Sequence, residues 1–279
     1  MRRIALSCIS VFVCLSSAAA DEVLDVYPLR NHNPFLQIFG LPPFQSATIV
    51  NKGETDYSLG LDLANNADFG DSATEDFLID GESYFLNLSL RRRVKDWLEL
   101  GADVSFVSHT GGFMDGGIKN WHDIFGMSNT KRRGADDQLQ FVYERDGITQ
   151  YELNSSSSGI GDLQLSAAVP LREQINDDYA LTLRASIKLP TGDDSKLTGS
   201  GAMDFAAGLY ASDAYSLMDR PLGVTGFAGA ILLGDGDVLP TLQRDVVPFG
   251  GFSASWWLTD RFAATVQLQS QGAYFDSDI

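Results

Sequence analysis

The sequence predicts an all-β fold, an antiparallel transmembrane β-barrel of about 12 strands with long extracellular loops. Three observations predict it. Apolar and polar residues alternate along repeated stretches of about 9–11 residues, the span of a tilted strand in a bilayer. The polar faces carry Gly, Ser, Thr and Gln with isolated charges such as Arg184 and Lys188, as a wet lumen requires. Short turns alternate with long loops, and aromatic residues (Tyr57, Trp97, Trp256, Trp257, Tyr274) stand at strand ends. Alternation alone also suits a soluble sandwich, whose apolar face would lie inside.

Residues 1–20 read as a secretory signal. Arg2 and Arg3 are the charged region, 4–15 the apolar region, and Ala18-Ala19-Ala20 the cleavage site. A lipoprotein signal is disfavoured, because Val13 precedes Cys14 where a small residue is wanted. Cys8 and Cys14 both leave with this segment, so the exported chain relies on its sheet and not on disulfides. The 279 residues carry a net charge of −17; without Arg2 and Arg3, 18 Lys and Arg face 37 Asp and Glu, a net −19. That balance argues against nucleic acid as a partner. Past residue 20 no apolar run reaches about 18 residues, so no helical span is predicted.

Residues 21–44 read as an irregular N-terminal arm or plug. Pro28, Pro34, Pro42 and Pro43 forbid a long regular element, while Phe35, Ile38 and Phe39 need something to pack on. The barrel then occupies 45–279. Residues 45–51 are a first candidate strand, with a turn at Lys52-Gly53-Glu54. Tyr57, Leu59, Leu61 and Leu63 form one face of the next, and 65–74 reads as loop. Residues 75–93 put Tyr84, Leu86, Leu88 and Leu90 on one face, with Asn87, Ser89 and Arg91 on the other. After a turn at 94–97 the chain returns over 98–107, with Leu100, Ala102, Val104 and Phe106 opposite Glu99, Gly101, Asp103 and Ser105.

A long loop opens at Ser108-His109-Thr110-Gly111-Gly112 and holds the aromatic insert Trp121-His122-Asp123-Ile124-Phe125. Residues 138–145 and 149–154 form a hairpin about Asp146-Gly147. Residues 163–169 and 181–189 alternate; Thr182, Arg184, Ser186 and Lys188 share the polar face of the second. Strands near 202–212 and 222–233 are rich in Gly and Ala. Residues 247–257 and 262–271 close the chain, with Gln267 and Gln269 on the polar face. No repeat of fixed period occurs, which argues against a propeller or solenoid.

Four segments carry a resemblance: 33–42 (NPF…IFGLP), 105–127 (SFVSHTGGFMDGGIKNWHDIFGM), 158–165 (SGIGDLQL) and 188–204 (KLPTGDDSKLTGSGAMD). In them the chain resembles an uncharacterised family of Gram-negative outer-membrane proteins of unknown function. The resemblance implies a barrel in the outer membrane, whose partners are outer-membrane lipids and the barrel assembly machinery. It supplies no substrate and no catalytic residue. One departure stands out. Such barrels usually end on a strand with a terminal aromatic, whereas this chain ends Tyr274-Phe275-Asp276-Ser277-Asp278-Ile279. The expectation is an atypical closing strand or a sequence short of one.

His109 beside Ser108 is the sharpest catalytic candidate, for an outer-membrane lipid hydrolase. Adjacent strand residues face opposite ways, however, and no G-x-S-x-G is present. A polar rim residue is the competing reading. His109, His122, Asp115 and Asp123 match no ligand spacing, and Asp193, Asp194 and Asp204 lack the order of a calcium loop, so neither metal nor cofactor is predicted. Arg91-Arg92-Arg93 near a short turn reads as anchoring at headgroup level or, with Arg184 and Lys188 facing inward, as lining a pore. Arg184, Lys188, Gln267 and Gln269 are expected to line the lumen. Trp121, His122, Asp123 and Phe125 are expected to form a lid at the mouth. The function expected is a passive channel or transporter for a small solute. The alternatives are the lipid hydrolase and a structural or adhesive barrel without transport.

Overall fold

The computed structural model describes residues 9–15 (backbone alone), 26–127, 136–173, 179–260 and 262–277. Most of the predicted signal, 1–20, lies outside them. Strict alternation of apolar and polar residues gives long strands with two distinct faces. They are β1 (Ile9–Leu15), β2 (Thr55–Asp71), β3 (Glu75–Lys95), β4 (Leu98–Thr110), β5 (Gln140–Arg145), β6 (Ile148–Leu153), β7 (Ser157–Ile160), β8 (Leu163–Arg172), β9 (Ala180–Leu189), β10 (Asp204–Leu217), β11 (Arg220–Leu232), β12 (Val246–Trp257) and β13 (Phe262–Gln271). One helix, α1 (Asp115–Phe125), follows β4.

All pair in one antiparallel sheet of 13 strands. The order runs β1-β13-β12-β11-β10-β9-β8-β4-β3. β2 pairs with one edge of β3, while β4 and then β5 share the other. β7 continues the line of β8 along β4. Setting aside β1, which falls within the predicted signal, 12 strands remain. Among the described residues β2 and β13 share no ladder.

Two sequence expectations fail. Residues 45–51 form no strand, because their backbone is held by side chains of other strands instead of a neighbouring backbone. Residues 65–71 are not loop; β2 runs on to Asp71, paired with β3 as far as Asp76. Asn65, Asn66 and Asp68 are poor strand formers, and tertiary pairing overrides their preference.

The two faces of the sheet are opposite in chemistry. One exposes Tyr57, Leu59, Leu61, Leu63, Leu86, Leu88, Leu90, Phe106, Leu183, Leu209 and Phe252. The other buries Asn87, Glu99, Asp103, Gln164, Thr182, Lys188, Ser212, Thr225, Gln267 and Gln269. Those polar residues are covered by the lead-in, residues 26–50, which lies across them.

The lead-in shows that the sheet curls. Gln269 on β13 donates to the Pro42 carbonyl, and Gln164 on β8 donates to the Gly40 carbonyl. β13 and β8 are five positions apart in the sheet, about 24 Å if it were flat. Two carbonyls two residues apart lie within about 7 Å, too close for both contacts unless the sheet wraps round them. The concave face is therefore the polar one. At one end it also holds a cluster of Phe35, Ile38, Phe39 and Phe44 with Phe141, Tyr210, Phe227, Phe249 and Tyr274. Gly251 makes room there, since a Cβ would come within 2.5 Å of the Phe227 ring. At that end the chain after β13 crosses to β3, where Ser277 Oγ donates to Glu75 at 2.6 Å.

Candidate functional site

An irregular segment rich in proline leaves its own N–H and C=O groups without a ladder, and buried ones must find partners. The concave wall supplies them as side chains. All four residues expected to line the lumen do this. Gln267 both accepts from Tyr27 N–H (2.8 Å) and donates to its carbonyl (3.0 Å). Gln269 donates to Pro42, Lys188 to the Ile38 carbonyl (3.0 Å), and Arg184 to the carbonyls of Ser46 (3.2 Å) and Thr48 (2.7 Å). Ser212 accepts from Ala47 N–H and Glu99 from Val50 N–H. These bonds are what keep 45–51 out of a strand.

Lys188 is the centre of this arrangement. Its side chain is 3 % exposed, and its ammonium lies 2.7 Å from Asp162 and 3.2 Å from Asp204. Asp162 also accepts from the N–H of Gly192 and Ser200; Asp204 accepts from those of Gly40 and Gly234. Ser200 Oγ bonds the same ammonium. Such contacts are what a buried charge needs to offset desolvation. Close approach is built in: a Cβ on Gly199 would lie 2.4 Å from Asp162 Oδ1. Segments 33–42, 158–165 and 188–204, far apart in the chain, thus meet at one ammonium. Segment 105–127 joins beside it. The Leu197 carbonyl accepts from both Gln37 Nε2 (2.5 Å) and His109 Nε2 (3.2 Å).

A second set of charges lies further along the wall. Asp103 accepts from Arg91 (2.7 Å) and lies 3.4 Å from Arg30 of the lead-in. Glu99 pairs with Arg184 at 2.9 Å. Arg91 and Arg93 therefore do not anchor at headgroups: they share the concave-face side of β3, and Arg93 pairs with Glu173 at 2.6 Å. Only Arg92 has the opposite parity. His32 donates from Nδ1 to the Arg30 carbonyl (3.0 Å), and its Nε2 lies 3.2 Å from Asp62. Burial pushes its pKa below the usual histidine value, and Asp62 offsets this only in part. Between the lead-in and the wall of β3, β4 and β8 remains a cavity of about 70 Å³, lined by Arg30, His32, Asn87, Asp103, Gln164 and Lys188.

His109 is fully buried, and Ser108 points to the other face. Its partner is Ser83, the residue opposite on β3, whose Oγ lies 2.8 Å from Nδ1. With Nε2 donating to Leu197, Nδ1 is the acceptor and Ser83 the donor. Ser83 is also fully buried, so the pair meets no substrate. Only the register of β3 against β4 brings Ser83 to it. The metal candidates do not converge. Asp193 caps the short 3-10 turn Asp194–Lys196 through Ser195 N–H, Asp204 serves Lys188, and Asp115 accepts from Asn65 and from Asp137 N–H. Among the described residues no group of three or more His, Cys, Asp or Glu could hold a metal ion.

Trp121, His122, Asp123 and Phe125 all lie on α1. The helix hangs from the convex side of β3. Glu82 shares parity with Leu86, Leu88 and Leu90, and accepts from the N–H of Phe113 (2.9 Å) and Met114 (2.5 Å). A carboxylate there suits the positive end of a helix. Gly112, at φ +78°, presses so close to Glu82 that a Cβ would sit 1.8 Å from its Cδ. Trp121 and Phe125 pack on each other, with ring centroids 4.5 Å apart, and both are more than half exposed.

A family model described as a protein of unknown function matches residues 4–278. No curated protein matches the chain.

Proposed function

The chain belongs to that family, DUF3187, and we propose that it is an outer-membrane β-barrel that passes a small solute and is held shut by residues 26–50. One observation carries the reading: the sheet is apolar on its exposed convex face and polar on its buried concave face, the reverse of a soluble sandwich. β3 displays it best. Its convex row reads Glu82, Tyr84, Leu86, Leu88, Leu90, Arg92. The ten residue steps from Glu82 to Arg92 span about 33 Å of strand, or about 23 Å at a 45° tilt, close to the apolar band of outer-membrane barrels. Four apolar residues between two charged ends fit that band.

Further support comes from the connections. Those after β3, β10 and β12 are short, while those after β4, β9 and β11 are long, and the two kinds lie at opposite ends. An exported chain with an N-terminal signal reaches such a membrane. The lead-in supports a closed state, because its backbone is bonded to side chains of β8, β9 and β13 and leaves beside it a cavity of about 70 Å³. A solute passes when the lead-in shifts and frees Arg184, Lys188, Gln267 and Gln269. Planar-bilayer recording tests this. The intact chain is expected to open rarely, and Arg184→Gln with Lys188→Gln to open far more often. Silence from both would overturn transport.

A further inference from the structure

We infer that α1 is a lipid-contacting foot: its apolar side lies in the boundary between headgroups and acyl chains of the leaflet at the long-loop end. The inference rests on the membrane reading above and assigns to α1 a partner other than the barrel's own mouth.

Ile118, Trp121 and Phe125 recur at helical spacing with Ile124 beside them, while Lys119, Asn120 and Asp123 occupy the opposite side. Trp121 is 58 %, Phe125 60 % and Ile124 75 % exposed, and Phe113 and Met127 at either end of the helix are exposed too. Only the first turn, at Asp115, is buried. A helix of this composition, with no described residue over its apolar side, suits the surface of a membrane.

Its height identifies the occupant. The helix hangs from the row Asn65–Glu82–Thr110, one outward-facing row beyond Leu63–Tyr84–Ser108 and two beyond Leu61–Leu86–Phe106. One such row is about 7 Å along a strand. The exposed apolar band of β2 and β3 therefore ends where the exposed apolar side of α1 begins. Trp is a residue that settles at this boundary. A lid would turn these rings toward the lead-in. Instead the attachment points Asn65 and Glu82 are on the face away from it, and Trp121 rests on Phe125.

The test uses the full chain refolded into phosphatidylcholine vesicles in which the lipid is brominated at a shallow or a deep acyl position. One variant retains Trp121 alone (Trp97→Phe, Trp256→Phe, Trp257→Phe); a second lacks only that residue (Trp121→Phe). Shallow bromine is expected to quench most of the Trp121 emission, deep bromine much less, and emission to shift to the blue. Quenching in Trp121→Phe with none at Trp121 would overturn the foot and leave the barrel standing. Blue-shifted but unquenched Trp121 would also overturn it, assigning the helix to a protein partner or to a second copy. No quenching in either variant would remove the membrane reading and this inference with it. As a second arm, Ile124→Asp, at an exposed position that cannot harm the sheet, is expected to weaken shallow quenching; unchanged quenching counts against the foot.

Discussion

The ammonium of Lys188 lies 2.7 Å from the carboxylate of Asp162, and both side chains are 5 % exposed or less. One residue belongs to a strand and the other to the turn before its neighbour, and the same ammonium donates to the Ile38 carbonyl. Removing the cation leaves Asp162 and Asp204 buried without it. Lys188→Gln is expected to cost about 3–5 kcal/mol, the usual result of breaking a buried pair from one side. Urea unfolding of the vesicle-refolded chain measures it, and restoring neutrality with Asp162→Asn should recover part of the loss.

The convex face predicts a cost that depends on depth. Leu88 lies near the middle of the Glu82–Arg92 row and is half exposed. Leu88→Lys is expected to destabilise by about 2–4 kcal/mol, the cost of lysine at a bilayer midplane. In a soluble sheet the same exposed change would be close to neutral. Folding yield into vesicles separates the two.

Gly112 combines a left-handed backbone with contact against Glu82. Gly112→Ala is expected to cost about 1–3 kcal/mol in strain. It should also release α1 from β3, read as faster proteolysis within 113–127 while the strands stay protected.

His32 predicts an acid-sensitive lead-in. Its pKa falls on folding, chiefly through burial. The folded chain thus keeps it neutral where the unfolded chain, titrating near about 6.5, binds a proton. Its contribution is complete above that value and is lost as pH falls below it. Cleavage within 26–50 should quicken from pH 7.5 to pH 5, and His32→Gln should flatten the difference.

Much of the wall was legible because the period of two is local: Leu86, Leu88 and Leu90 declare one face, and Arg184 and Lys188 the other. That Gln267 and Gln269 bind a backbone was not legible, because nothing near them names Tyr27 or Pro42. The same holds for Ser83 and His109, joined only by strand register. Residues 45–51 read as a candidate strand between the prolines and the turn at Lys52-Gly53-Glu54, although their partners are side chains. Trp121 and Phe125 read as a lid because an aromatic insert shows its spacing and not the side of the sheet from which it hangs.

Heating before electrophoresis tests most directly the claim that the apolar convex face meets lipid. The vesicle-refolded chain is expected to run faster unheated than boiled, and to resist protease until heated. A single band indifferent to heating, from a chain that stays in solution without lipid or detergent, would contradict it.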